Sequence, residues 1–356
     1  MSIRSILKAL PSPVKERLKR IKEGAELAVV GLFSRSGFLA SVYYCLLSRR
    51  FDREHRAVLL GRLQYGRSLR TAQENYALLR RNVHRLEKGL IMRPRRPVFA
   101  EDYVGETVSS HLRGLPGDGN LLGHHKWAND VLAHYFQVVG STVRIDSARS
   151  SFIAAQALAA NAEDARFVPY PHRELPACPV DYDQLLTLFR RRRSVRWYLD
   201  RPVEEALLRK AVQAASLAPS ACNRQPFRFH VVRDPERATD IARCARGTAG
   251  FADNLPCVIT VVGDLGAYPA ERDRHVIYID GALAAMQLML ACETLGLSTC
   301  SINWPDIEEQ EALLSGKLGL AYHERPIMLL AVGHADPEGG IPYSQKKSDD
   351  ELIVFH

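Results

Sequence analysis

The spacing of hydrophobic positions changes character near residue 180. Before that point it is helical. Apolar residues recur at three-and-four spacing with charges between them over 14–33 and 49–79. Glycines at 24, 31, 37, 61 and 66 leave these boundaries open. The helical reading continues through Asn82-Val83-His84-Arg85-Leu86-Glu87-Lys88-Gly89-Leu90, with Gly89 as a candidate C-terminal cap. His84 and Glu87 lie one turn apart on one face, either as a functional pair or as a local polar contact on a docking helix. Arg93-Pro94-Arg95-Arg96-Pro97 breaks the period, 98–115 is mixed, 114–123 reads as a loop, and 128–139 and 147–165 suit helices. Residues 167–179 hold four prolines and no apolar period. The expected organisation is therefore a mostly helical N-terminal region over 1–170, a Pro-rich linker over 171–180 and a second domain over 181–356.

In that second domain helices and strands alternate. Residues 182–191 form a helical pattern with Leu185, Leu186, Leu188 and Phe189 on its apolar side. A second helix over 202–217 has Pro202 near its start, and Glu204 and Glu205 at its positive end. Strands are expected over 227–232, 257–262, 298–302 and 327–332, helices over 235–246, 272–295 and 307–318, and a short apolar tail over 352–355. The 272–295 helix is apolar almost all round, so it must be buried, partly at a subunit interface.

Composition adds little until charge is mapped. The apolar and charged fractions, 46% and 25%, are those of an ordinary soluble globular protein, and 356 residues suit two domains. Residues 1–99, however, carry 22 Lys and Arg against 7 Asp and Glu, while the whole chain is only +8. This basic segment either faces an anionic partner or is a soluble helical segment with a basic outer face. Nucleic acid is not expected as that partner, because aromatic interleaving and named motifs are missing. The early apolar runs 27–33 and 38–47 are interrupted by Ser34-Arg35-Ser36-Gly37, and neither reaches the roughly 20 residues of a spanning helix. That leaves a peripheral membrane contact through residues 1–100 as one alternative. The first 22 residues are basic and lack the long apolar core of a signal peptide. The seven cysteines are scattered singly, which is reduced, intracellular usage. The expected location is the cytoplasm, with a membrane-peripheral alternative. His124, His125 and His134 lie near Asp130, but nothing completes a ligand set, so no metal site is expected.

Nucleotide and hydrolase motifs are missing: there is no G-x-G-x-x-G after a strand, no P-loop and no G-x-S-x-G elbow. What stands out is a dispersed set of cationic and small polar positions. Arg190-Arg191-Arg192-Arg193-Ser194-Val195-Arg196 closes the 182–191 helix. Ala218-Pro219-Ser220-Ala221-Cys222-Asn223-Arg224-Gln225-Pro226 precedes the first strand. Gly296-Leu297-Ser298-Thr299-Cys300 follows the long apolar helix, and Lys346-Lys347 comes near the end. A flavin mononucleotide (FMN) needs such a set. Its phosphate suits guanidinium forks and lysine, its ribityl hydroxyls suit Ser and Asn, and its ring edge suits amide and main-chain donors. The tempting Cys222 and Cys300 read as packing residues rather than redox centres.

With order and spacing of all four pieces in agreement, residues 181–356 resemble the nitroreductase family of FMN-dependent oxidoreductases. The resemblance implies an α+β fold with a central, mainly antiparallel sheet flanked by helices. It also implies a homodimer with FMN at the interface and a C-terminal segment adding to the partner's sheet. Arg192, Arg193, Ser194 and Arg196 would meet the flavin from one subunit, and Pro219, Ser220 and Asn223 from the other, with Ala221 and Gln225 as further cofactor-binding residues. Thr299, Cys300, Lys346 and Lys347 complete the expected site. The implied activity is hydride transfer from NADH or NADPH, through flavin, to a nitroaromatic, quinone or other small-molecule acceptor. The flavin carries the chemistry, so no catalytic side chain is expected. The N-terminal region has no place in the minimal family fold. Its His84–Leu90 phrase resembles longer nitroreductase-like proteins of bacterial polysaccharide loci. The alternative is thus a flavin-binding accessory protein of a membrane-associated or polysaccharide-assembly system, with little turnover of its own.

Overall fold

In the computed structural model, residues 11–356 are described apart from 71–75, 116–119, 122, 157–159 and 162–165. The chain divides into two compact units, Met1–Arg56 and Ala57–His356. In the first, α1 (Ser12–Phe33) is followed by α2 (Gly37–Val42), which runs on into a π-helical stretch, Tyr43–Ser48. The break falls at 34–36, where Ser36 caps α2 by accepting the Leu39 amide at 3.2 Å. Helix α3 (Asp52–Ser68) starts here, with Asp52 and Glu54 at its positive end.

The second unit contains a helical layer and a sheet. The expected 49–79 helix is divided between α3 and α4 (Ala77–Leu90), its 71–75 part lying outside the described residues. Gly89 does not cap α4. It sits in the last turn, where a Cβ would come within 2.4 Å of the Phe99 ring, so the glycine serves a close approach. The mixed 98–115 stretch holds α5 (Val104–Arg113). A two-residue strand β1 (Asn120–Leu121), α6 (Gly123–Val138), α7 (Val143–Gln156) and strand β2 (Ala160–Asn161) follow, with β1 and β2 pairing in parallel. Helix α7 thus starts earlier than expected. Of the remainder of the 147–165 helix, 157–159 and 162–165 lie outside the described residues. The layer closes around Leu79, Val83, Leu86, Leu132, Tyr135 and Ile145.

Further on come α8 (Tyr182–Arg191), α9 (Glu205–Ala215), β3 (Phe227–Val232), α10 (Pro235–Ala242), β4 (Cys257–Asp264), α11 (Val276–Thr294), β5 (Ser298–Asn303), α12 (Glu308–Leu318) and β6 (Glu324–Gly333). The four strands are ordered β3-β4-β6-β5, every neighbour antiparallel. Helices α9 and α11 pack on one face through Leu208, Ala211, Ala284 and Leu288 against Ile259, Val261 and Leu330. Ala238, Ile241 and Leu314 of α10 and α12 meet Val258, Leu329 and Ala331 on the other. Both faces of β4 are therefore buried, which is why its sequence from Cys257 to Gly263 is apolar except at the buried Thr260, instead of alternating. Each such side chain contributes about 1.5–3 kcal/mol. This is the expected α+β architecture with flanking helices.

Helix α11 lies so close to β6 that a Cβ on Gly281 would be 2.4 Å from Ile327. It is not buried all round, however. Ile279, Leu283 and Met286, at helical i, i+4, i+7 spacing, stay exposed in the single chain. The apolar side of α8 is likewise uncovered, since none of its residues is buried. A capping box of Asp181 and Gln184 starts that helix.

Inside the helical layer, His111 is 1% exposed, and its ring nitrogen lies 3.4 Å from that of His125. Burial, reinforced by the His125 charge, lowers the His111 pKa from 6.5 to about 4. The neutral ring is thus favoured by folding. Its contribution is intact above pH 6.5 and lost as pH falls toward 4. Urea unfolding at pH 7 and pH 5 should show a loss on the order of 2 kcal/mol from this group at the lower pH. His111→Asn should flatten the dependence; an unchanged pH profile in that variant would remove His111 as its source.

Candidate active site

The site residues expected from the sequence fall mainly in two clusters. The first begins where α8 ends. Arg192 leaves the helix with extended backbone, and the chain then runs beside β5, where the Val195 amide donates to Thr299 O at 3.0 Å. Tyr198, 3% exposed, clips this strip down: its hydroxyl donates to Val195 O at 2.7 Å, and its own amide donates to Asn254 Oδ1 at 2.6 Å. The strip thereby borders a cavity of roughly 390 Å³ lined by Leu186, Phe189, Arg190, Arg192, Arg193, Ser194, Pro342, Ser344 and Lys346.

The cavity thus joins Arg192, Arg193 and Ser194 with Lys346, about 150 residues away in sequence. Arg193 makes the join by donating to the carbonyls of Pro342, at 2.7 Å, and Tyr343. The buried Arg192 Nε and Thr299 Oγ1 have no hydrogen-bond partner among the described residues. Unspent donors beside several cations suit a dianionic phosphate. Glu293 lies beneath, 3.5 Å from Arg191. Burial raises its pKa, while Arg191 and Arg192 oppose that shift. Lys347 and Arg196 are not among the lining residues. Arg196 turns back to Ser194 O at 3.3 Å and lies over the Phe251 ring. Thr299 and Cys300 are buried in β5, and burial raises the Cys300 thiol pKa, so this sulfur is a packing group.

The second cluster is the loop between α9 and β3. Cys222, Asn223 and Gln225 all adopt left-handed backbone, with φ of 54°, 51° and 51°. Such geometry persists only where neighbours impose it. Two residues that sequence reasoning missed impose it here. Asp280 of α11, 2% exposed, accepts from Ser220 Oγ at 2.7 Å and from the Ala221 amide at 3.0 Å. Arg80 of α4 donates to Asn223 O at 2.7 Å and to Gln225 Oε1 at 2.6 Å. Ser220 Oγ also accepts the Gln225 amide at 2.7 Å. An acid within an apolar helix is the signal that would have singled out Asp280; nothing local marks Arg80.

Arg80 explains the His84–Leu90 phrase. Its guanidinium lies over the Trp127 ring at 5.5 Å, and the indole donates to Glu87 Oε1 at 2.9 Å. His84 Nδ1 stands 3.7 Å from the Glu87 carboxylate. Arg80, His84 and Glu87 share one face of α4 at i, i+4 and i+7. The His84–Glu87 pair is thus a local polar contact on a docking helix, and it supports the residue that grips the loop. Among the described residues no group of three metal-ligating side chains occurs.

One chain does not bring the two clusters together. The arginine strip lies at β5 on the level of Thr299, which is aligned through Val332 with Cys257. The loop feeds Phe227 of β3, aligned with Gly263 at the other end of β4. The clusters therefore sit at diagonal corners of the sheet. Strand spacing and rise put them roughly 25 Å apart.

Sequence comparison identifies the family of this second domain. The sequence model of the Nitroreductase family matches residues 189–247 and 236–334. A Thermus thermophilus protein named NADH dehydrogenase is 32% identical over 180 residues, covering 42% of this chain and 85% of its own. Human iodotyrosine deiodinase 1 is 23% identical over 222 residues, covering 54% of this chain and 76% of its own. Among solved structures, a Desulfovibrio desulfuricans protein described as a nitroreductase in complex with FMN is 28% identical. It covers 48% of this chain and 96% of its own, with a TM-score of 0.42. The chain is an oxidoreductase-type member of the nitroreductase family.

Proposed function

We propose that the protein is an FMN-dependent oxidoreductase that takes a hydride from NADH or NADPH and reduces a small-molecule acceptor of the nitroaromatic or quinone type. The observation that carries this reading is the cationic cavity, in which Arg192, Arg193, Ser194 and Lys346 converge and Arg192 Nε is buried without a partner among the described residues. The FMN phosphate fits this donor set. Bound there, the flavin supplies the hydride chemistry: it accepts two electrons from one ligand and delivers them to another.

The chain's own residues have three tasks. Arg192, Arg193 and Lys346 neutralise the phosphate. The loop 219–225 presents Asn223 and its main chain toward the ring, with Ser220 and Ala221 fixed from behind by Asp280, and Asn223 and Gln225 by Arg80. Tyr198 and Asn254 hold the strip against the sheet. Protons come from solvent, so no side chain needs to titrate in the reaction.

The diagonal placement favours a homodimer. A cofactor held by both clusters requires the strip of one chain to meet the loop of its partner. The exposed stripe Ile279, Leu283 and Met286 offers the apolar surface for that pairing. The exposed tail residues Leu352, Ile353, Val354 and Phe355 are free to extend the partner's sheet.

Arg192→Ala should weaken FMN binding at least about tenfold, the usual scale for a charge-assisted hydrogen bond. Fluorescence titration of apoprotein measures this, and undiminished affinity would move the phosphate elsewhere. Ile279→Glu/Leu283→Glu should give a folded monomer by light scattering, and that monomer should lose the flavin. A monomer that retains FMN would contradict the shared site.

A further inference from the structure

None of residues 11–52 is buried. This length of chain has helices but no core of its own, although most helical stability in proteins comes from packing an amphipathic face. Its apolar residues are nevertheless ordered by position. At 3.6 residues per turn, Val14, Leu18, Ile21, Ala25, Ala28, Val29 and Leu32 of α1 fall within an arc of roughly 100°. All seven are exposed. Lys15 and Lys22 border that arc on one side and Arg17 on the other, while Glu16 and Glu23 lie on the far face.

Beyond Glu26 the apolar character widens. Arg35 is the only charged residue between Glu26 and Arg49. Leu27, Val30, Phe38, Leu46 and Leu47 are exposed there. Tyr43 packs against Phe33 and Tyr44, with ring centroids 5.6 and 5.2 Å apart, giving the amphipathic aromatic group typical of a membrane–water boundary. The run is folded at 34–36, and each limb is too short for a hydrocarbon core of about 30 Å. Cations flank it on both sides, Lys15 to Lys22 before and Arg49 and Arg50 after. Residues 1–56 carry 12 Lys and Arg against 5 Asp and Glu.

We propose that α1 and α2 form an interfacial hairpin that docks the protein on the surface of a bilayer containing anionic phospholipids. The arc Val14–Leu32 and the apolar bend at 27–47 enter the acyl boundary. The bordering lysines and arginines meet lipid phosphates. Charge selects this occupant over a second copy, because the same face on another molecule carries the same positive excess. The inference is independent of the cofactor.

Flotation of the full-length protein tests it, with vesicles of phosphatidylcholine alone and of phosphatidylcholine with phosphatidylserine. The protein should float with the mixed vesicles, bind at least about tenfold less to the neutral ones, and dissociate as salt rises. Leu18→Glu/Ile21→Glu/Val29→Glu should remain in solution with an unchanged thermal transition. Lys15→Glu/Lys19→Glu/Lys22→Glu, which keeps the apolar arc, should lose the preference for phosphatidylserine. Failure of the full chain to float would overturn the proposal, as would equal flotation of the first variant. So would a first variant whose sole change is a smaller oligomer, since a second copy would then be the occupant.

Discussion

The register of the four-stranded sheet is the constraint from which the rest follows. Antiparallel order β3-β4-β6-β5 puts the segment entering β3 and the segment lying along β5 on opposite edges. Alignment of Thr299 with Cys257, and of Phe227 with Gly263, puts them at opposite ends as well. The cationic strip and the polar loop are each well formed, and no local adjustment can bring them together. A half-site at each corner is the expected surface of a molecule whose ligand lies between two copies. The uncovered stripe on α11 and the uncovered apolar side of α8 are consistent with this.

Each half-site is held from a distance. The strip depends on Tyr198 and Asn254, and on Arg193 reaching the carbonyls of Pro342 and Tyr343. The loop depends on a buried acid in the central helix and on a cation from the helical layer. The second dependence gives that layer a structural meaning. Arg80, braced by Trp127 and Glu87, places the helical layer of the second unit in direct contact with the loop that carries Asn223. Loss of the layer would remove the Arg80 contacts to Asn223 and Gln225, two of the three left-handed residues.

The sequence disclosed what depends on local pattern. The strands, the helices after residue 180 and the arginine strip could all be read from periodicity and residue type, because β4 up to Gly263 is apolar but for Thr260 and the buried side of α11 is apolar but for Asp280 and Glu293. Lys346 was marked by its charge, whereas Pro342 and Ser344 in the same wall carry no local signal, because they reach it only through the path of the chain beyond Gly333. Arg80 was missed for the same reason: its partners lie 143 and 145 residues away. Gly89 misled because a glycine near a helix end looks like a cap, whereas the Phe99 ring is what requires it. The break at 34–36 and the apolar runs around it were legible.

The central claim is that strip and loop from different chains make one cofactor site, and complementation in a mixed dimer tests it most directly. Arg192→Ala damages the strip, and Ser220→Asp places a second carboxylate against Asp280 and damages the loop. Each variant alone should lose FMN. A purified dimer with one copy of each should contain one site with both lesions and one with neither, and so bind one FMN per dimer. No FMN in the mixed dimer would mean that strip and loop act within one chain, and would contradict the account.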